Sequence, residues 1–329
     1  MAKYTSIGGQ ALIEGIMMKN PQKKTAMAVR KPDKTIDISF VDEKSIKDKY
    51  AILRLPVIRG VVTYIETMLQ GYKAMMKSAD ISGFTDIEEE TDKPKDPKKE
   101  SALTAVIMTI GSVLGIALAV VLFLGIPRYA VAGLEWIIGT PFSKVVRAGI
   151  EQLIKLAVLV LYMWGVSFMK DIHRVFAYHG AEHKTIFCYE AGLPLTVENV
   201  KKQRRFHPRC GTSFLILMIL VSMVVSTVVQ MIFPGVYDIA WLWIAAKVLM
   251  LPIICGLGYE VLKLCGKYDN VVTRIISAPG MWMQRITTKE PEDDMIEIAI
   301  AALKACDEIE EEPIENPSIE EETHNDDNI

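Results

Sequence analysis

Residues 102–126 read ALTAVIMTIGSVLGIALAVVLFLGI, 25 residues without a charge. A helix rises about 1.5 Å per residue, so this run is long enough to cross a hydrocarbon core of about 30 Å. The chain is therefore expected to be a membrane protein. Its composition agrees: half of its 329 residues are hydrophobic and the mean hydropathy is +0.24. Three further apolar runs follow, at 148–169, 212–233 and 239–264. The second carries Glu151 and Lys155, four apart and spaced to pair on one helix face. The third carries Ser222, Ser226, Thr227 and Gln230, suited to hydrogen bonds between helices. The fourth contains Pro252, Gly256 and Gly258, so a kink is expected there, with the freed backbone groups bound by protein or water.

Charge asymmetry orients the four spans. Lys93, Lys95, Lys98 and Lys99 precede the first. Lys170, Arg174, Lys184, Lys201, Lys202, Arg204, Arg205 and Arg209 lie between the second and third. The alternate connections carry only Arg128, Lys144 and Arg147, or no basic residue. The positive-inside rule places both termini and the loop 170–211 in the cytosol.

Residues 1–84 read as a small cytosolic α+β module. Apolar segments at 6–18, 25–30 and 35–41 are divided by the turn Lys31-Pro32-Asp33-Lys34, and an amphipathic helix follows over 56–79, suited to a bundle flank or the membrane interface. Residues 85–100 are a charged linker, and 101–265 form the membrane domain. Residues 266–306 are a cytosolic region ending in an amphipathic helix, with Met295, Ile298, Ala299, Ala302, Leu303 and Cys306 on one face. The acidic tail, 307–329, has little to bury and is expected to be disordered; His324 lies within it. The fold class expected is a mainly α membrane protein with about four transmembrane helices and this N-terminal module. A net charge of −3 without a contiguous basic surface excludes nucleic acid as a partner and leaves the lipid bilayer. Five unpatterned cysteines indicate reduced thiols, and no cleavable signal peptide is expected at the start.

The loop 170–211 holds four of the five histidines, His173, His179, His183 and His207, with Cys188 and Cys210. His179-Gly-Ala-Glu182-His183 reads H-x-x-E-H. If this segment is helical, the two imidazoles lie one turn apart with Glu182 beside them. His207-Pro-Arg-Cys210-Gly211 resembles half of a zinc knuckle, with Pro208 and Gly211 favouring a sharp turn. Imidazole and thiolate select a transition metal, zinc first and iron(II) second. Three protein ligands would leave a position open and make Glu182 a general base for metal-assisted hydrolysis. Four would close the site and make it structural, and a buried polar cluster without metal fits the histidine pair as well. Gly180 weakens the helix by about 1 kcal/mol relative to alanine. Cys188 is expected to pack, and His173 fits a ligand, a supporting group or the surface. Glu260, a carboxylate near the cytosolic end of the fourth span, can orient a ligand or complete the site. Gln10 and Glu14 are polar positions in an apolar segment and fit either a site or a solvated strand face.

Six segments together resemble the bacterial DUF1385 family: GGQALIEGIMMKN (8–20), LPVIRGVVTYIETMLQGYKAM (55–75), YHGAEHKTIFCYE (178–190), HPRCGTSFL (207–215), GLGYEVLKL (256–264) and PGMWMQRITTKEPEDDMIEIAIAAL (279–303). The resemblance covers nearly the whole chain apart from the linker and the acidic tail. It implies a metal-dependent enzyme of the bacterial plasma membrane, with no substrate or reaction to carry over. It also implies a metal set drawn from His179, His183, His207, Cys210 and Glu260. Glu14 and Arg59 fall in the same motifs and join Glu182 as candidate catalytic residues. Two functions remain open: a zinc-dependent hydrolase at the inner membrane surface, acting on a membrane protein or lipid, and a scaffold or assembly factor whose metal stiffens the loop. A transporter is third, because Glu151, Lys155, Lys247 and Glu260 are few and can pair or snorkel.

Overall fold

The computed structural model describes residues 5, 7–41, 45–84, 97–208, 210–236, 239–268 and 270–308. Most of the linker and the acidic tail beyond Glu308 lie outside the described residues. Four strands open the chain, β1 (Gly8–Leu12), β2 (Gly15–Lys19), β3 (Thr25–Arg30) and β4 (Ile36–Val41), antiparallel in the order β1-β2-β3-β4. The first apolar segment thus divides into two strands, joined at Ile13-Glu14, with Glu14 at φ +48°. The Lys31–Lys34 turn forms as expected: Lys34 N–H donates to the Lys31 carbonyl at 2.9 Å, and Asp33 accepts from the Thr35 hydroxyl at 2.6 Å.

Alternation sends successive side chains to opposite faces of the sheet. Ile16, Met18, Ala26 and Ala28 point to one core, and Leu12, Met17, Met27 and Val29 to another. The first core is completed by α5 (Lys170–Glu190) and α10 (Asp293–Asp307), two segments far apart in sequence. All six residues of the α10 face read from the sequence are buried there, as is Cys188. The second core is covered by the C-terminal half of α1 (Ile58–Ile81), through Ala74. The sheet is therefore sandwiched between helices, and the α+β unit draws on more of the chain than its N-terminus.

The membrane helices are α2 (Pro97–Val120), α3 (Ile126–Ile138), α4 (Lys144–Val166), α7 (Thr212–Ile232) and α8 (Ala240–Lys267). The helix α2 starts at Pro97, a favoured first-turn residue, and not after Glu100. A π-helical turn, Val121–Gly125, joins α2 to α3. Pro127 and Arg128 thus lie within a helix and not in a connecting loop, and the first candidate span is Thr109–Ile138. A proline cannot donate a backbone hydrogen bond, and a wider turn ahead of it lets the helix continue. Leu215–Ile232 and Trp241–Cys265 are also long and apolar enough to cross a membrane. The helices α4 and α5 make a fourth span if counted together, but they are bent by 102° at residues 167–169. So α5 does not continue below α4; it turns almost at right angles onto the sheet.

Two long-range contacts fasten the membrane helices to the sheet unit. Gly60 of α1 meets Gly256 of α8, where an added Cβ would lie 2.9 Å from the facing backbone. The final amphipathic pair begins with α9 (Val271–Thr287), which packs along α7 before the chain turns into α10. Glu151, expected to pair with Lys155, instead takes Lys247 of α8, a contact between helices.

Candidate metal centre

The helix α5 gives His179 and His183 the one-turn spacing that its sequence implies, and their rings meet edge to face with centroids 4.4 Å apart. The Cys210 thiol comes from the segment before α7. The ligand atoms of His179, His183 and Cys210 all lie within 4.8 Å of one another, with Cys210 sulfur 3.1 Å from His179 Nε2. Among the described residues this is the group of three or more such side chains close enough to share an ion.

The far side of each imidazole is fixed by the backbone. His179 Nδ1 lies 2.8 Å from the Thr287 carbonyl oxygen, and His183 Nδ1 bonds to the Arg205 carbonyl. A carbonyl only accepts, so Nδ1 carries the proton in both rings, and in the neutral imidazole that leaves Nε2 as the nitrogen able to hold an ion. Both lone pairs are thereby directed to the side where the sulfur lies. Burial holds the His183 imidazole below the ordinary histidine range, which keeps it neutral. Its Nε2 is buried and makes no well-formed hydrogen bond, with the Cys210 thiol as the group that faces it. An orphaned, neutral, buried imidazole nitrogen beside a second imidazole and a thiol fits a transition metal: the donor set is that of zinc, and the backbone carbonyls orient the rings as supports do in metal sites.

Glu182 is buried next to this group, against Gly9 of β1. An added Cβ at Gly9 would lie 2.9 Å from the Glu182 carboxyl carbon, so the bare glycine makes room for the acid. Burial pushes the Glu182 carboxyl above its usual range, His179 opposes the shift, and one carboxyl oxygen has no partner.

The other sequence candidates are not among these three donors. His207 borders them, its ring 5.5 Å from that of His183; it is tilted against Phe187 at 4.7 Å between centroids, and its Nε2 sits 3.9 Å from Glu190. The Gln284 side chain of α9 clamps the His207 backbone from both sides, accepting from N–H at 2.7 Å and donating to the carbonyl at 2.8 Å. Glu260 stands apart: it takes Arg59 as a two-pronged ion pair at the base of α1, with one contact at 2.7 Å. Glu14 is held by Arg174 of α5 through two contacts of 2.6 Å, and by the Tyr178 hydroxyl at 3.1 Å. This network anchors the β1-β2 turn to α5 one turn before His179. His173 is exposed.

Gly180 explains itself here. Its missing side chain lets the segment after α9 pass against α5, bringing Lys289 N–H to the Phe176 carbonyl at 2.8 Å and Thr287 to His179. Gln284 and the two carbonyl supports were not found from the sequence. A polar residue among the apolar positions of α9 was the one available sign of Gln284, and backbone acceptors leave none.

With this geometry, the match to known proteins falls on the same residues. The family described as a protein of unknown function, DUF1385, matches residues 55–308. This chain belongs to the DUF1385 family. A curated relative, the uncharacterized protein YqhQ of Bacillus subtilis (strain 168), is 33% identical over 316 residues, which cover 94% of this chain and 96% of the relative. No solved structure matches. In this DUF1385 protein the matched region contains the three clustered side chains able to hold an ion, Glu182, and the helices that position them.

Proposed function

We propose that this protein is a metal-dependent hydrolase working at the cytosolic surface of the bacterial plasma membrane, with zinc or iron(II) held by His179, His183 and Cys210. The observation that carries this reading is the orphaned Nε2 of His183 facing a thiol and a second imidazole, each ring already tied down at Nδ1. Three protein donors leave a tetrahedral ion one position short, which is the pattern of catalytic sites. When bound, zinc supplies a Lewis acid at the group's centre. The chain supplies the rest. Glu182, whose pKa burial raises above the ordinary carboxylate range, is placed beside the donor group as the side chain suited to take and return a proton. The Glu14-Arg174-Tyr178 network and the Thr287 and Arg205 carbonyls hold α5 and its imidazoles in place. The basic loop around α5 supports a cytosolic setting for the site and for both termini. Its position beside α7 and α9 favours a substrate that arrives in or on the membrane, a lipid or a membrane protein.

The second reading, a scaffold stiffened by a closed metal site, is favoured by the number of carbonyl and amide clamps around the group. The two differ in whether a coordination position is open. Cobalt(II)-substituted protein is expected to change its visible spectrum when acetohydroxamate is added, because the probe occupies a free position. An unchanged spectrum under saturating probe would leave the scaffold.

A further inference from the structure

The interior of the helical bundle contains a second polar constellation, well separated in sequence from the metal centre. Glu151 of α4 is buried and meets Lys247 of α8, which lies over the Trp243 ring at 5.0 Å. One residue on, Gln152 accepts a 3.1 Å hydrogen bond from Ser222 of α7. Lys155 lies one turn further along the same face of α4, within electrostatic reach of both Glu151 and Lys247. The helix α7 continues the polar line to Gln230, whose buried side-chain nitrogen has no hydrogen-bond partner. Residues 222 to 230 cover about 12 Å of helix, so the line occupies a good part of a span.

Ionisable groups inside a span are costly, and those retained are paired or functional. Here the pairing does not balance. Two lysines share one carboxylate, and Lys155 makes no hydrogen bond or contact ion pair among the described residues. The Lys155 ammonium is the group left without an acceptor; Gln230 lies on the other side of the Gln152–Ser222 contact and belongs to a separate stretch of α7. A structural ion pair needs one cation, and the second calls for a further negative charge.

We propose that the interface of α4, α7 and α8 is a binding site for a singly charged oxyanion, with Lys155 as the group that recognises it. The ligand completes the charge of the Glu151, Lys247, Lys155 set and accepts hydrogen bonds from the Lys155 ammonium. A carboxylate on an alkyl chain and the phosphodiester of an acidic lipid both carry this chemistry, and either can reach the site from the bilayer.

The test uses the full-length protein in a neutral detergent, with thermal unfolding followed by tryptophan fluorescence. Sodium octanoate and phosphatidylglycerol in mixed micelles are the probes, with octanol and phosphatidylcholine as matched controls without net charge. At least one anionic probe is expected to raise the midpoint by about 5 °C in wild type and in Lys155→Arg. The shift is expected to vanish in Lys155→Gln, which breaks no pair and so leaves the fold intact. Glu151→Gln, which leaves two ammonium groups without their carboxylate, is expected to bind the anion about ten-fold more tightly. A shift with octanoate alone assigns the site to a carboxylate, and with phosphatidylglycerol alone to a lipid phosphodiester. The proposal is overturned if neither probe shifts wild type, if the uncharged controls act equally, or if Lys155→Gln responds as wild type does.

Discussion

Gly180→Ala is expected to destabilise the protein by about 3 kcal/mol, against the direction of helix propensity. In an unconstrained helix alanine would be favoured over glycine by about 1 kcal/mol. Here the new Cβ would lie 2.0 Å from the Lys289 carbonyl oxygen and 3.5 Å from the Pro291 ring, so α5 and the segment after α9 must separate. That separation pulls the Thr287 carbonyl from His179 Nδ1, which frees the ring to turn and loosens the ligand group. Denaturant unfolding beside zinc retention measures both effects. Gly149→Ala in α4, where nothing lies within 4 Å of the added carbon, is the control and is expected to be neutral or slightly stabilising. Equal behaviour of the two variants would show that the close approach at Gly180 does not hold the site together.

Glu182→Gln is expected to keep the metal and lower turnover by about 10² to 10⁴-fold, measured on a fluorogenic ester or peptide that the wild type hydrolyses. The pH profile gives a second readout. A base must be ionised to act, and burial raises the Glu182 pKa, so wild-type activity falls as pH drops through that raised value. The variant lacks this limb. Stability moves the other way. The folded protein holds a proton on Glu182 at pH values where the unfolded chain, with a pKa of about 4.3, has lost it. Stability therefore declines as pH rises from the unfolded value to the folded one. Glutamine removes that decline, so Glu182→Gln is expected to be the more stable protein at neutral pH and the less active one. Full activity in the variant would leave the scaffold reading.

The features legible in the sequence are those decided by near neighbours. Uncharged runs long enough to span a bilayer, the β3 strand, and the buried face of α10 each follow from period and length within one segment. The His179, His183 spacing is local in the same way. Features set by contact between distant segments were not legible. Lys247 is the partner of Glu151 although the two are 96 positions apart. No helix breaker within residues 167–169 announces the 102° bend between α4 and α5. The first uncharged run ended at Ile126, and a π turn carried the helix past it through Pro127 and Arg128. The knuckle spacing of His207 and Cys210 suggested two ligands; Cys210 is one of the three clustered donors, while Gln284 fixes the backbone at His207 and its ring lies between His183 and Glu190. Spacing shows which side chains can converge; the packing of α9 and α10 determines which do.

Metal content tests the central claim most directly. Plasma mass spectrometry of freshly purified, detergent-solubilised wild type is expected to give about one zinc or iron per chain. His183→Ala and Cys210→Ala are expected to lose it, while His207→Ala and Glu260→Ala, whose side chains stand outside the ligand group, are expected to retain it. No stoichiometric metal in the folded wild type, or full retention in Cys210→Ala, would contradict the account.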